Sequence, residues 1–167
     1  MQSNDFEITS DYLVIRDKQT ILKLRSLGAG VEEESIAKVS LLEAAYFADR
    51  GVIPVSKDEL LKKSNLSDPL SHEKYSVIKY LRNLGYIVRP SLDGSPFLRL
   101  HRKGFRPGED KTQYLIYVLK TSLNIDFESL SSFIDTSGKL RKELVLAFVD
   151  PKYEKPYFVK AGRMTID

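Results

Sequence analysis

The sequence predicts an α/β fold in two small units: an N-terminal α/β domain over residues 1–68, and a second domain over 69–167 with a mixed β-sheet flanked by helices. Three observations carry this expectation. The stretch Tyr75–Arg89, YSVIKYLRNLGYIVR, reads as an amphipathic helix that runs through a turn glycine into a strand. Tyr75, Val77, Ile78, Leu81 and Leu84 recur at helical spacing, and Gly85 suits the left-handed C′ position that ends such a helix. Downstream, apolar runs at Thr112–Lys120 and Glu143–Val149 bracket a short helical segment, a pattern that places helices on a mixed sheet. The polar run Ser64-Asn-Leu-Ser-Asp-Pro69 is the clearest boundary between the units.

Taken in order, the first unit offers a strand at Tyr12–Ile15, a helix at about Gln19–Leu27 ending at Gly28, and a strand near Ser35–Val39. Ser40 is placed to cap a helix whose Leu41, Leu42, Ala45 and Tyr46 share a face and which Gly51 closes. Ser56-Lys-Asp-Glu59 is a capping-box pattern starting a short helix through Lys63. Asp68 and Pro69 fit the N-cap and N1 positions of the long helix to Leu84. Strands follow at Tyr86–Arg89, Phe97–Arg102 and Thr112–Lys120, with Ser91–Pro96 as a hairpin connection. A short helix at Asp126–Phe133 and strands at Glu143–Val149 and Tyr157–Val159 complete the chain.

Composition narrows the chemistry. The chain has no cysteine and two histidines, His72 and His101, which excludes disulfides, thiol catalysis and a histidine-rich metal cage. The start, MQSNDFEITSDY, lacks the basic and then apolar pattern of a secretory signal, and no apolar run approaches a membrane span, so an intracellular, cytoplasmic protein is expected. Net charge is +3 but uneven: −3 over residues 1–70 and +6 over 71–167. The second part is therefore the candidate for meeting phosphate. Its densest positive cluster is Leu98-Arg-Leu-His-Arg-Lys-Gly-Phe-Arg106. Strand alternation would put Arg99, His101 and Lys103 on one face, with Phe105 or Tyr114 available for base stacking. The competing reading is an edge strand that charge protects against sheet pairing.

The order of these residues resembles the tRNA-splicing endonuclease family. Tyr75, Val77, Leu81, Arg82, Gly85, Tyr86 and Val88 match the start of its C-terminal domain. Leu140-Arg-Lys-Glu-Leu-Val-Leu-Ala-Phe-Val-Asp150 looks like the family's Val-Arg-Lys-x-Leu-Leu-Leu-Ala-x-Val-Asp. Leu41-Leu-Glu-Ala-Ala-Tyr46 and Gly51 are similar to its N-terminal domain. The resemblance implies an endonuclease-like C-terminal domain, and a reaction in which a 2′-hydroxyl attacks the adjacent phosphate at bulge-helix-bulge junctions of precursor tRNA. The products are a 2′,3′-cyclic phosphate and a 5′-hydroxyl, formed without metal or cofactor. Proton removal, leaving-group protonation and charge stabilisation need separate groups. In the family these are a tyrosine, a histidine and a lysine.

Lys142 matches the lysine, the tyrosine position falls on His101, and the histidine position falls on Lys111. An exposed lysine is a poor acid at neutral pH compared with imidazole. The resemblance thus implies a structural, non-catalytic subunit of an archaeal-type heterotetramer, paired with a catalytic subunit of the same family. The alternatives are a self-sufficient metal-independent RNase using His101, Lys111 and Lys142, and a non-enzymatic RNA-binding or assembly module. Expected RNA contacts are Arg99, Arg102, Lys103 and Arg106. Expected partner contacts are Asp150 and Glu154, in a loop whose acidity Lys152 and Lys155 dilute, and the apolar Tyr157, Phe158 and Val159 of the last strand. A magnesium nuclease of related shape, needing clustered carboxylates and a Glu-x-Lys strand, is the weaker reading.

Overall fold

A computed structural model describes residues 4–92, 94–103, 112–122, 124–150, 152 and 155–166. The chain opens with the strands β1 (Phe6–Ile8) and β2 (Tyr12–Ile15), helix α1 (Lys18–Ser26), strands β3 (Val31–Glu33) and β4 (Ile36–Ser40), and helices α2 (Leu41–Asp49) and α3 (Lys57–Ser67). The strands form an antiparallel sheet in the order β1-β2-β4-β3. Side-chain caps set the helix starts: Asp17, Ser40 and Ser56 accept the N–H groups of Thr20, Glu43 and Glu59.

The second part begins with helix α4 (Ser71–Asn83) and continues through β5 (Ile87–Pro90), β6 (Leu98–His101), β7 (Thr112–Lys120), helix α5 (Phe127–Lys139), β8 (Glu143–Val149) and β9 (Tyr157–Ala161). The sheet runs β5-β6-β7-β8-β9, antiparallel except for the β7–β8 pair. Parallel pairing demands a crossover, and α5 supplies it. One face of this sheet packs on α4 and on the N-terminal elements. Leu13, Ala45, Ile53, Ile78, Val88, Ile116, Val118 and Ala147 belong to a single buried cluster. The other face packs under α5, where Phe97, Leu115, Leu119, Leu144 and Leu146 meet Phe133 and Ile134.

Helix α4 carries the contact between the two parts. The Arg82 guanidinium meets the Glu43 carboxylate at 2.6 Å, with both side chains almost wholly buried. It also donates to the carbonyls of Leu27 and Gly28, the C-terminal end of α1. Gly28 sits at φ +66°, and a Cβ there would come within 2.7 Å of the Ile87 side chain. The left-handed backbone, with the Ile87 side chain against it, makes this position of the α1–β3 loop one that favours glycine.

The apolar face of α4 is as the spacing predicts for Tyr75, Val77, Ile78 and Leu81, which are buried. Leu84 departs from it: it is the C-cap and stands 48% exposed, because the chain is already leaving the helix there. At the other end Leu70, not Asp68, holds the N-cap position. Asp68 instead turns the chain into the helix, its carboxylate accepting the Leu70 N–H at 2.9 Å and pairing with Lys74. Helix α5 is longer than expected, continuing past Phe133 to Lys139.

Candidate functional site

Of the residues singled out in the sequence, Arg99, His101, Arg102, Lys103 and Lys142 lie toward one end of the second sheet, where β6 finishes and β7 and β8 begin. A β-bulge dominates the geometry. The β6–β7 register slips between Leu100 and His101, so that Leu100 faces Tyr114 while His101 faces Thr112. Bulges re-aim side chains and increase local twist. His101 is accordingly buried, 5% exposed, beside its other register partner Ile87. The expected open face shared by Arg99, His101 and Lys103 is thus broken: Arg102 and Lys103 are exposed and Arg99 half-buried, but the imidazole between them is closed off. The edge-strand reading of this segment is also corrected, since β6 lies between β5 and β7.

Lys142 reaches the same place from α5. That helix ends in a Schellman turn: Leu140 is the C-cap, and the N–H groups of Arg141 and Lys142 return to the carbonyls of Gly138 and Ser137. Arg141 takes the left-handed C′ position at φ +55°, a place that glycine usually fills. The turn aims the Lys142 side chain across the sheet, where its ammonium donates to the Thr112 carbonyl at 2.6 Å. The backbone that accepts Lys142 is thus the register partner of His101. Lys111 and Arg106 lie outside the described residues, as do Phe105 and Glu154.

Basic groups gather around this end. Lys103 lies over the Tyr86 ring, 4.8 Å from its centroid. Arg102 donates its Nε–H to the Gln113 side-chain oxygen at 3.1 Å. Arg99 stands directly across from Arg89 in the β5–β6 register, and Arg89 itself donates to the Gly30 carbonyl. Two guanidiniums facing one another on neighbouring strands concentrate positive charge. At the far side of the same end, Lys160 pairs with Glu143 at 2.8 Å, a hydrogen bond and charge that raise the ammonium above its ordinary pKa. Arg89, Gln113 and Lys160 were not read as site residues from the sequence. Register brings them in, and no local spacing signals it.

The residues expected to meet a partner lie elsewhere. Strand β9 is the sheet edge, with Tyr157, Phe158 and Val159 at 56%, 38% and 49% exposure. Phe158 is near Tyr80 of α4, ring centroids 6.0 Å apart. Asp150 is half-buried and its carboxylate accepts the Lys152 N–H at 2.9 Å. A groove of about 520 Å³ runs between the β5–β6 hairpin and the starts of α2 and α4; its Lys74 is already paired with Asp68.

Among the described residues no group of three or more metal-binding side chains is placed to hold an ion. The one Glu-x-Lys triplet in the chain, Glu109-Asp110-Lys111, lies outside them. No helix among the described residues is long and apolar enough to cross a membrane.

Comparison with known proteins bears on this geometry. Residues 72–157 match the family described as tRNA intron endonuclease, catalytic C-terminal domain. The chain is 31% identical to the tRNA-splicing endonuclease of Methanothermobacter thermautotrophicus over 75% of its own length and 77% of that protein's. It is 28% identical to the tRNA-splicing endonuclease of Thermococcus kodakarensis, over 92% of this chain and 94% of the relative. A third tRNA-splicing endonuclease, from Methanococcoides burtonii, matches 95% of this chain at 29% identity, but the match fills only 46% of that longer protein. On sequence and on architecture, this chain belongs to the tRNA-intron endonuclease family.

Proposed function

We propose that the chain is a structural subunit of a tRNA-splicing endonuclease, acting on precursor tRNA beside a catalytic subunit of the same family. The observation that carries this reading is the burial of His101. It stands where the family's tyrosine falls, yet it is 5% exposed and sits at the register slip of β6 against β7, so it offers little surface to a phosphate. Lys142 retains the family's residue type, but one of its three N–H donors is committed to the Thr112 carbonyl. The third position holds Lys111, a weak acid at neutral pH. Proton transfer in both directions therefore lacks an evident pair of groups.

The role left is assembly and substrate placement. Edge strand β9 offers unpaired backbone groups and three apolar side chains to a partner's strand, in a heterodimer and then a heterotetramer. The double-length relative from Methanococcoides burtonii is consistent with a fold that works in pairs. Arg99, Arg102 and Lys103 offer charge to the RNA. The Asp150 loop is a weaker contact, since the Asp150 carboxylate already accepts the Lys152 backbone N–H and the neighbouring Lys152 and Lys155 dilute its charge.

The test is cleavage of an intron-containing precursor tRNA in EDTA. The purified chain is assayed alone and mixed with a family member that retains tyrosine, histidine and lysine but is inactive or weak by itself. Cleavage confined to the mixture is the expected result, unchanged by His101→Ala. Cleavage by the chain alone, lost in His101→Ala or Lys142→Ala, would instead make it a self-sufficient RNase. RNA binding that restores cleavage to no partner would make it a binding module.

A further inference from the structure

We infer that Arg102, Gln113 and Tyr114 form a preset clamp for one phosphate of the RNA backbone; this rests on the subunit reading above and names how that subunit holds its substrate. The three side chains lie in line at the end of β6 and the start of β7, across the bulge. Arg102 Nε donates to Gln113 Oε1 at 3.1 Å, and Gln113 Nε2 meets the Tyr114 hydroxyl at 3.1 Å.

Donor arithmetic fixes the direction of this chain. A guanidinium has no acceptor, so the group facing it must be the glutamine oxygen, and the amide N–H₂ is left to face tyrosine. The Tyr114 oxygen therefore accepts, and its own hydrogen is free to point away from Gln113. Holding Arg102 through Nε leaves the N–H groups of its two Nη atoms uncommitted among the described residues. Arg102 is exposed, and among the described residues no carboxylate pairs with it. The arrangement presents the guanidinium Nη donors and, linked to them through the same glutamine, a phenol hydrogen free to donate, with the only formal charge among the three side chains positive. Phosphate oxygens accept only, and a planar fork meets two of them at once. A base edge carries donors and acceptors both, and matches this array less well.

Gln113 is the positioning residue. It touches no phosphate itself, but it sets the guanidinium plane and the direction of the phenol hydrogen. The bulge supplies its place: with His101 opposite Thr112 and Leu100 opposite Tyr114, Gln113 is the extra residue on β7, free of a partner in the register. The slip that buries His101 thus raises a different polar group at the same strand end.

The experiment is a salt titration of binding between the full chain and an intron-containing precursor tRNA, for wild type, Arg102→Ala, Gln113→Glu and Tyr114→Phe, with circular dichroism as the folding control. Arg102→Ala should lower affinity at least fivefold and reduce the salt slope by about one ion, as expected for one lost phosphate contact. Gln113→Glu should do the same while leaving Arg102 in place, because the new carboxylate captures the guanidinium. Tyr114→Phe should lower affinity severalfold with the slope unchanged. Inorganic phosphate, raised at constant ionic strength, should compete with the RNA in wild type and less in Arg102→Ala. Wild-type slope and affinity in both Arg102→Ala and Gln113→Glu would overturn the clamp. So would a wild-type chain that binds no tRNA. Failure of the clamp is distinguishable from failure of the subunit reading: in the former, mixtures with a catalytic relative still cleave; in the latter, they do not.

Discussion

Arg82 shows how much of this fold rests on single side chains. Its ion pair with Glu43 lies in the core, and the same guanidinium holds the end of α1 and stacks near Phe47, 5.2 Å from the ring centroid. Arg82→Ala would leave Glu43 buried without a counter-charge, and such losses cost about 3–5 kcal/mol. Against a typical stability of about 5–15 kcal/mol that is a large share, and at the low end of the range it is nearly all of it. Urea denaturation will read it, and a shift under 1 kcal/mol would mean that the pair is not desolvated. Tyr75 is a milder case. Its hydroxyl is buried with no hydrogen-bond partner among the described residues, and burial pushes its pKa up to about 12. The neutral phenol is the folded form. The stability it contributes is therefore whole below pH 10 and is lost from there to about pH 12, as the unfolded chain ionises first, at about 1.4 kcal/mol per pH unit. Tyr75→Phe should remove that segment of the pH profile and leave neutral-pH stability unchanged or about 1 kcal/mol higher. A steeper alkaline loss in the variant would refute the assignment. At this scale the sequence was only partly legible. Arg82 was visible as part of a motif, but its partner lies 39 positions away. His101 was visible as a site residue, yet its burial depends on a one-residue slip that no composition signals.

Elements were more legible, for reasons that differ from one to the next. Strands β7 and β8 have the bounds that their apolar, β-branched runs predict, since a strand covered on both faces reads as continuous hydrophobicity. The three-residue strands β1 and β3 left no readable period, and β3 is exposed along its whole length. Helix α5 was cut short in the sequence because Asp135-Thr-Ser-Gly138 lowers helix propensity. In the structure the helix runs on, with the Thr136 and Ser137 hydroxyls bonded back to the carbonyls of Ser132 and Ile134 and the Schellman turn at Leu140 ending it. The turn that follows carries its own prediction. Arg141→Gly removes the steric cost of a left-handed non-glycine residue and should stabilise the chain by about 0.5–1 kcal/mol, read as a raised melting temperature. If stability falls instead, the Arg141 side chain makes a contact worth more than the strain.

Over the whole molecule, the boundary drawn from the polar run at Ser64–Pro69 marks a change of sequence character rather than a gap in packing. Ser64 and Ser71, on either side of it, are hydrogen-bonded at 2.9 Å, and one buried cluster takes residues from both parts. The full chain should therefore melt in one transition, with calorimetric and van't Hoff enthalpies equal. A fragment of residues 69–167 should lack the cover for Val77 and Ile78 and bind hydrophobic dyes. Two resolved transitions, or a fragment with sharp tertiary signals, would show the parts to be independent.

The open edge at β9 has a consequence for supply. Partly exposed Tyr157, Phe158 and Val159 on a sheet edge are a template for strand pairing, so the chain by itself is expected to associate with copies of itself as its concentration rises. On the subunit reading, chains made in excess of the partner that covers this edge should then aggregate or be degraded, so that the level of the molecule follows the scarcer of the two.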